Sequence, residues 1–126
     1  MLIVCDTSPL LHLARLGLLD LLPRLYGQIL APVTVWAELG DAPPGSPEAA
    51  LANAAPWVVV VPDATPPTEA LVVLAEVDAG EAAAIALALA RGADLLLIDD
   101  AAGRRAAGEL GVSVRGTLGV LVAAKR

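Results

Sequence analysis

Leu2-Ile3-Val4-Cys5-Asp6-Thr7-Ser8-Pro9 and Leu95-Leu96-Leu97-Ile98-Asp99-Asp100 each contain a short, wholly apolar run that ends in acid. A run without polar alternation suits a strand buried on both faces, and such strands belong to parallel sheets covered by helices. After the first run, Ser8 and Pro9 read as a helix start, with Ser8 as N-cap and Pro9 at the first helical position. Open parallel sheets bind ligands outside the carboxyl ends of their strands, where the strand order reverses. If the two runs are neighbours, Asp6 and the Asp99-Asp100 pair meet at that edge.

Outward from these runs, a first helix is predicted to about Leu16, stopped by Gly17, with a second over 18–25. Residues 28–31 read as a strand, and Pro32 opens a helix carrying Val33, Val35, Trp36 and Leu39 that Gly40 closes. Residues 41–47 read as loop, followed by an alanine-rich helix to about Ala54. A β-branched strand is predicted over 57–61 and a loop over 62–67. Helices follow over 68–77 and 78–91, the second ended by Gly92. Beyond the strand at 95–98, a helix over 100–110, a strand over 112–114 and a helix over 117–125 complete the pattern. Cys5, Trp36 and Trp57 read as core. Strands alternating with helices predict a parallel sheet covered by helices. A chain of 126 residues suits a single domain, 1–126, with one core.

The net charge of −6 argues against a protein that grips nucleic acid by bulk electrostatics. It is compatible with an acidic metal centre, where bound cations cancel the local charge. The basic residues are scattered, apart from Arg104-Arg105 and Lys125-Arg126. With Tyr26, Trp36 and Trp57 as its aromatic residues, the chain is not expected to carry a base-stacking platform. No apolar stretch approaches the ~18–20 residues that cross a bilayer. Met1 leads straight into the first apolar run with no basic leader, so a cytoplasmic location and no membrane contact are expected. A lone cysteine, Cys5, excludes an internal disulfide.

Taken singly, the acids have ordinary readings. Asp6 supports the turn into the first helix, and Asp100 caps the helix after its strand. Asp78-Ala79-Gly80-Glu81 fits an acidic form of the capping box. Glu38 departs from that pattern, since it lies in the last turn of its helix, where a negative charge opposes the dipole by ~0.3–1 kcal/mol. His12, among leucines, reads as a partly buried or surface side chain.

Taken together, they form a series. Asp6-Thr7-Ser8-Pro9-Leu10, Pro32-Val33-Thr34-Val35-Trp36-Ala37-Glu38-Leu39, Asp78-Ala79-Gly80-Glu81-Ala82 and Leu97-Ile98-Asp99-Asp100 follow one another as the acidic motifs of PIN-domain nucleases do. The chain resembles that family over nearly its whole length. The Asp-x-Gly-Glu-Ala stretch, and the tail Gly111-Val112-Ser113-Val114-Arg115-Gly116-Thr117-Leu118-Gly119, are most similar to its VapC-like branch. The resemblance implies a PIN-like three-layer α/β/α sandwich with a mostly parallel sheet of four or five strands. It also implies cleavage of single-stranded RNA dependent on magnesium or manganese, often by the toxin half of a toxin–antitoxin pair.

Carried over by position, the catalytic acids are Asp6, Glu38, Glu81 and Asp100. Asp6, Glu81, Asp99 and Asp100 are the metal-holding set, and Ser8 supports the first carboxylate or a water. Many PIN domains place an aspartate where this chain has Ala82; the longer Glu81, one position earlier, stands in for it. Counting from Ile85 places Asp100, ahead of Asp99, at the fourth acid. The implied chemistry is coherent: magnesium and manganese are hard cations that prefer oxygen ligands. Crowded carboxylates raise one another's pKa until a cation relieves the repulsion. Expected partners are the RNA substrate, an antitoxin protein and a second copy of the chain, the last because apolar helix stripes suit a homodimer. Arg104 and Arg105, just after the last acids, read either as facing an RNA backbone or as a solvated helix face.

Other classes fit less well. A haloacid-dehalogenase phosphatase would need a second aspartate where Ser8 stands. A response-regulator receiver would need an acidic pair before Asp6 and a phospho-accepting aspartate, for which Asp63 is badly placed beside Pro62. A dinucleotide-binding fold lacks its glycine fingerprint. The rival is a catalytically inactive PIN-like interaction module, favoured by the acidic surface and short middle and disfavoured by the retained acids.

Overall fold

The structure, a computed structural model, describes residues 1–125 apart from the side chain of Ala52; Arg126, half of the terminal basic pair, lies outside the described residues. β1 (Ile3–Cys5) is buried along its whole length. Successive strand side chains point to opposite faces, so this burial requires cover on both sides of the sheet. β1 pairs in parallel with β2 (Ile29–Pro32) on one edge and β4 (Leu95–Leu97) on the other. β3 (Val58–Val61) adds beyond β2 and β5 (Val114–Arg115) beyond β4, also in parallel. The order is β3-β2-β1-β4-β5. The expected α/β architecture is present, with five strands that are all parallel.

Parallel neighbours need crossover connections, and helices supply them. α1 (Thr7–Arg15) and α2 (Leu21–Tyr26) lead to β2, and α3 (Val33–Gly40) and α4 (Pro47–Ala54) lead to β3. A 3₁₀ turn (Thr68–Ala70), α5 (Leu71–Leu74) and α6 (Ala79–Arg91) lead to β4. α7 (Ala101–Glu109) leads to β5, and α8 (Thr117–Lys125) follows it. α6 lies across β1, β2 and β4. Its buried residues include Ala84, Ala86 and Ala88, small enough to bring the helix close to the sheet, with Ile85 and Leu87 filling between them. No helix among the described residues is long and apolar enough to cross a membrane.

Three details differ from the sequence reading. Ser8 does not cap α1: the cap is Asp6, extended at φ −85° and ψ 172°, and Ser8 and Pro9 lie within the first turn. Pro9 is tolerated there because the first four N–H groups of a helix have no intrahelical partner to lose. The helix read over 68–77 is a 3₁₀ turn plus the short α5, since Asp78 must be extended (φ −73°, ψ 170°) to cap α6. Trp36 and Trp57 are half-buried and pack against the edge of the core.

Leu96 is fully buried at the middle of β4, between Val4 and Val114. Paired on both edges and covered on both faces, it leaves no mobile neighbour to fill its place. Leu96→Ala should therefore lower the unfolding free energy by ~2–5 kcal/mol in urea titrations. A loss smaller than ~1 kcal/mol would mean that the sheet centre is not close-packed.

The chain lays down β1, β2 and β3 in one direction, then returns to the far side of β1 for β4. The strand order thus reverses between β1 and β4. Their carboxyl ends open into the crevice where such sheets bind ligands.

Candidate active site

Asp6 is the first residue after β1, and its N–H donates to the Leu97 carbonyl at 2.9 Å. Cys5 stands opposite Leu97, so the register carries Asp6 opposite Ile98. Side chains alternate along an extended chain, which places Asp100 on the Asp6 side of the sheet and Asp99 on the Cys5 side. The two neighbouring aspartates therefore do different things.

Asp100 caps α7, its carboxylate accepting the Gly103 N–H at 3.0 Å. Glu81, in the first turn of α6, completes a capping box. Asp78 accepts the Glu81 N–H at 2.9 Å, and Glu81 Oε1 accepts the Asp78 N–H at 3.3 Å. Capping uses only one Glu81 oxygen. The other, Oε2, is buried with no hydrogen-bond partner among the described residues. The first turn of α7 closes over it: a Cβ on Gly103 would stand 2.7 Å from Oε2. Glu38 reaches in from the last turn of α3 and accepts the Thr7 hydroxyl at 3.1 Å. Its carboxylate occupies the space that a Cβ on Gly80 would need. The ordinary capping roles are thus real, and they hold the acids in place as a group.

Asp6 and Glu81 are 4% and 6% exposed, and they are the buried charged residues among those described. Burial pushes the Asp6 carboxyl up to about 6; the Thr7 N–H opposes this, while Asp78, Glu38 and Asp100 add to it. Burial also pushes the Glu81 carboxyl up to about 8, with Asp78 and Asp100 contributing. Asp100 moves down instead, held by the Gly103 N–H and then by Glu81. Without a cation, this group therefore holds protons at a higher pH than isolated carboxyls would.

Asp99 is turned away from this group. Thr117 donates to it through both N–H and Oγ1, each at 2.6 Å, and His12 Nδ1 lies 2.7 Å from Oδ2. Gly116 leaves room for it, since a Cβ there would come within 2.9 Å of Oδ1. On that side of the sheet the Cys5 thiol is raised well above its ordinary value by burial, then by Asp6 and Asp99. Of the acids picked out in sequence, the fold therefore brings Asp6, Glu38, Glu81 and Asp100 into one electrostatic group and leaves Asp99 outside it. Ser8 is half-buried in the first turn of α1, and the hydroxyl that reaches an acid there belongs to Thr7. Thr7 and Thr117 are polar partners to which the motif reading gave no role; Asp78, read as part of the capping box, also raises both buried carboxyls, and His12, read as a partly buried or surface side chain, holds Asp99.

Among the described residues, no three His, Cys, Asp or Glu side chains close into a ready ligand cage. The donor set nevertheless fits a hard divalent cation, which is held through one or two carboxylates and keeps several waters. The unpartnered Glu81 Oε2 and the two raised carboxyls are what such an ion would relieve. Asp6, Glu81 and Asp100 are the side chains that could hold such an ion.

A family model, DUF3368, described as a PIN domain, matches residues 2–126. No curated protein matches the chain. PIN domains are generally nucleases that use divalent metals. The match leaves out only the first residue, and it agrees with the order of the acidic motifs and with acids gathered where the strand order reverses: the chain belongs to the PIN-domain family.

Proposed function

We propose that this protein is a divalent-metal-dependent endoribonuclease acting on single-stranded RNA, with Asp6, Glu81 and Asp100 holding the metal and Glu38 at the rim. The observation that carries this reading is two buried carboxylates, Asp6 and Glu81, both pushed upward by burial and by the same neighbours Asp78 and Asp100, with Glu81 Oε2 unpartnered. A purely structural carboxyl is normally exposed or has both oxygens satisfied, because a buried polar atom without a partner is costly.

When bound, magnesium or manganese supplies an acidified water as nucleophile and offsets the charge that grows on the scissile phosphate. The chain's own residues set the geometry. Asp6 is fixed by its sheet hydrogen bond, Glu81 by the capping box, Asp100 by the Gly103 N–H and Glu38 by the Thr7 hydroxyl. Glu38, exposed like Asp100, is placed to orient water where an incoming strand meets the crevice. The stretch Asp78-Ala79-Gly80-Glu81-Ala82 supports a place in the VapC-like branch. With that place come the role of toxin in a toxin–antitoxin pair, restraint by an antitoxin protein, self-association and a cytoplasmic site of action.

The direct test is cleavage of mixed-sequence single-stranded RNA by purified protein in manganese or in EDTA, beside calorimetric manganese binding. Cleavage in manganese that stops in EDTA is the expected result. A folded protein that neither cleaves nor binds manganese would instead be a PIN scaffold used for interaction alone.

A further inference from the structure

A polar cavity opens on the Asp99 side of the β4 end. It measures about 510 Å³ and lies between α7, the end of β5 and α8, with Asp99, Arg104, Arg115, Leu118 and Val122 on its walls. Arg104 follows Asp100 by one turn of α7, so the same helix presents an acid to the crevice and a cation to the cavity. Arg115 is positioned rather than loose. Its guanidinium donates to the Tyr26 hydroxyl at 2.7 Å, and its stem lies over Gly119, where a Cβ would come within 2.7 Å of Cγ. Neither arginine is ion-paired among the described residues.

Asp99 keeps its charge, but its oxygens are held by other groups, Oδ1 by the Thr117 N–H and Oδ2 by the Thr117 hydroxyl and His12. Against that one carboxylate the walls carry two guanidinium charges, so the cavity is locally cationic within a chain of net charge −6. Bulk attraction for a polyphosphate is absent from such a chain, so strand affinity has to come from particular places. Two guanidinium forks, each able to bind phosphate oxygens through paired N–H groups, make this such a place. The exposed Leu118 and Val122 supply an apolar wall for a ribose or base.

We infer that this cavity is a nucleotide subsite. It takes the phosphate of a unit flanking the scissile one, on Arg104 and Arg115, and so fixes the register of the strand across the carboxylates. The inference rests on the nuclease reading for its purpose, and its test does not depend on cleavage.

The readout is fluorescence anisotropy of a labelled, mixed-sequence single-stranded RNA oligonucleotide in manganese, with every protein carrying Asp6→Asn so that the RNA stays intact. Arg104→Gln, at an exposed helix position that does not threaten folding, should weaken binding several-fold. Arg104→Gln with Arg115→Gln should weaken it at least tenfold and flatten the salt dependence by about 0.7 in log–log slope for each phosphate no longer neutralised. Arg105→Gln, next in sequence but beside Glu76 and Glu109 on another face, should leave binding within twofold. Arg115→Lys, which keeps charge and loses the fork, should fall between the parent and Arg115→Gln. Three results would each overturn the subsite: a double variant that binds like its parent, an Arg105→Gln loss as large as that of Arg104→Gln, or a parent that binds no RNA. Intact RNA binding through these arginines in a protein without cleavage would instead leave the subsite standing and overturn the nuclease reading.

Discussion

Asp6→Asn should abolish metal-dependent RNA cleavage and, in the same molecule, make the metal-free protein more stable at pH 8. The catalytic half follows from charge. A carboxylate facing a divalent cation contributes to several kcal/mol of transition-state stabilisation, and the neutral amide keeps its shape while losing that contribution. The expected fall in kcat/KM is at least ~100-fold. Retention of more than about a tenth of the activity would move the metal site away from β1.

The stability half follows from burial. The folded Asp6 carboxyl titrates at about 6, whereas in the unfolded chain it titrates near ~4. The folded state holds this proton more tightly, so its contribution to stability is fully present below about pH 4. It is lost as pH rises to about 6 and stays lost above, a difference of about 3 kcal/mol. Glu81, pushed up to about 8, extends the decline in the same direction. Asparagine has no such proton to lose. Wild type and Asp6→Asn should therefore melt alike near pH 4, while at pH 8 in EDTA the variant melts several degrees higher. Manganese should raise the wild-type midpoint and leave that of the variant nearly unmoved, because only a ligand that binds the folded state stabilises it. Manganese affinity should itself rise with pH as Asp6 and Glu81 give up their protons. A variant less stable than wild type at pH 8 would show that Asp6 is satisfied within the metal-free fold.

The sheet was readable because its strands are apolar without interruption, and only burial on both faces explains Ile3-Val4-Cys5 and Leu95-Leu96-Leu97. The acids were readable by position, since Asp6 and Asp100 end neighbouring strands at the switch in strand order. The choice between Asp99 and Asp100 rested on motif spacing alone, yet strand alternation bears on it directly. Once Cys5 is opposite Leu97, Asp100 shares a face with Asp6 and Asp99 does not. What stayed hidden is long-range. Nothing local in Thr7 points to Glu38, 31 residues away. Nothing in His12 or Thr117, separated by 105 residues, points to a shared grip on Asp99. Ser8-Pro9 misled because Pro is accepted anywhere among the first unpaired N–H groups of a helix, so the true cap lay two residues earlier at Asp6. Gly17, Gly40 and Gly92 were read as helix stops, Gly80 and Gly116 as members of motifs, and Gly103 was given no role. Gly80, Gly103 and Gly116 have another role: each leaves room for one carboxylate, that of Glu38, Glu81 and Asp99 respectively.

Gly103→Ala should therefore inactivate the enzyme without touching an acid. In an ordinary helix the change is favourable by up to ~1 kcal/mol. Here the new Cβ would stand 2.7 Å from Glu81 Oε2 and 2.7 Å from Ile98 Cδ1. Ile98 is fully buried and Glu81 nearly so, which leaves neither a solvent-filled space to swing into. Overpacking of this kind costs ~1–3 kcal/mol, so the net result is a protein no more stable than wild type and up to ~2 kcal/mol less so. Activity should fall by at least ~10-fold, because a 1 Å displacement of a positioned group is enough to do that. Pairing it with Ile98→Val separates the two close approaches, since valine lacks Cδ1 and leaves the Glu81 approach in place. In a double-mutant cycle the pair should recover stability through a favourable coupling and remain inactive. Recovered activity in the pair would place the functional damage at Ile98 and take Glu81 out of the catalytic group. Full activity in Gly103→Ala alone would show that Glu81 can leave its buried position at no cost to the chemistry.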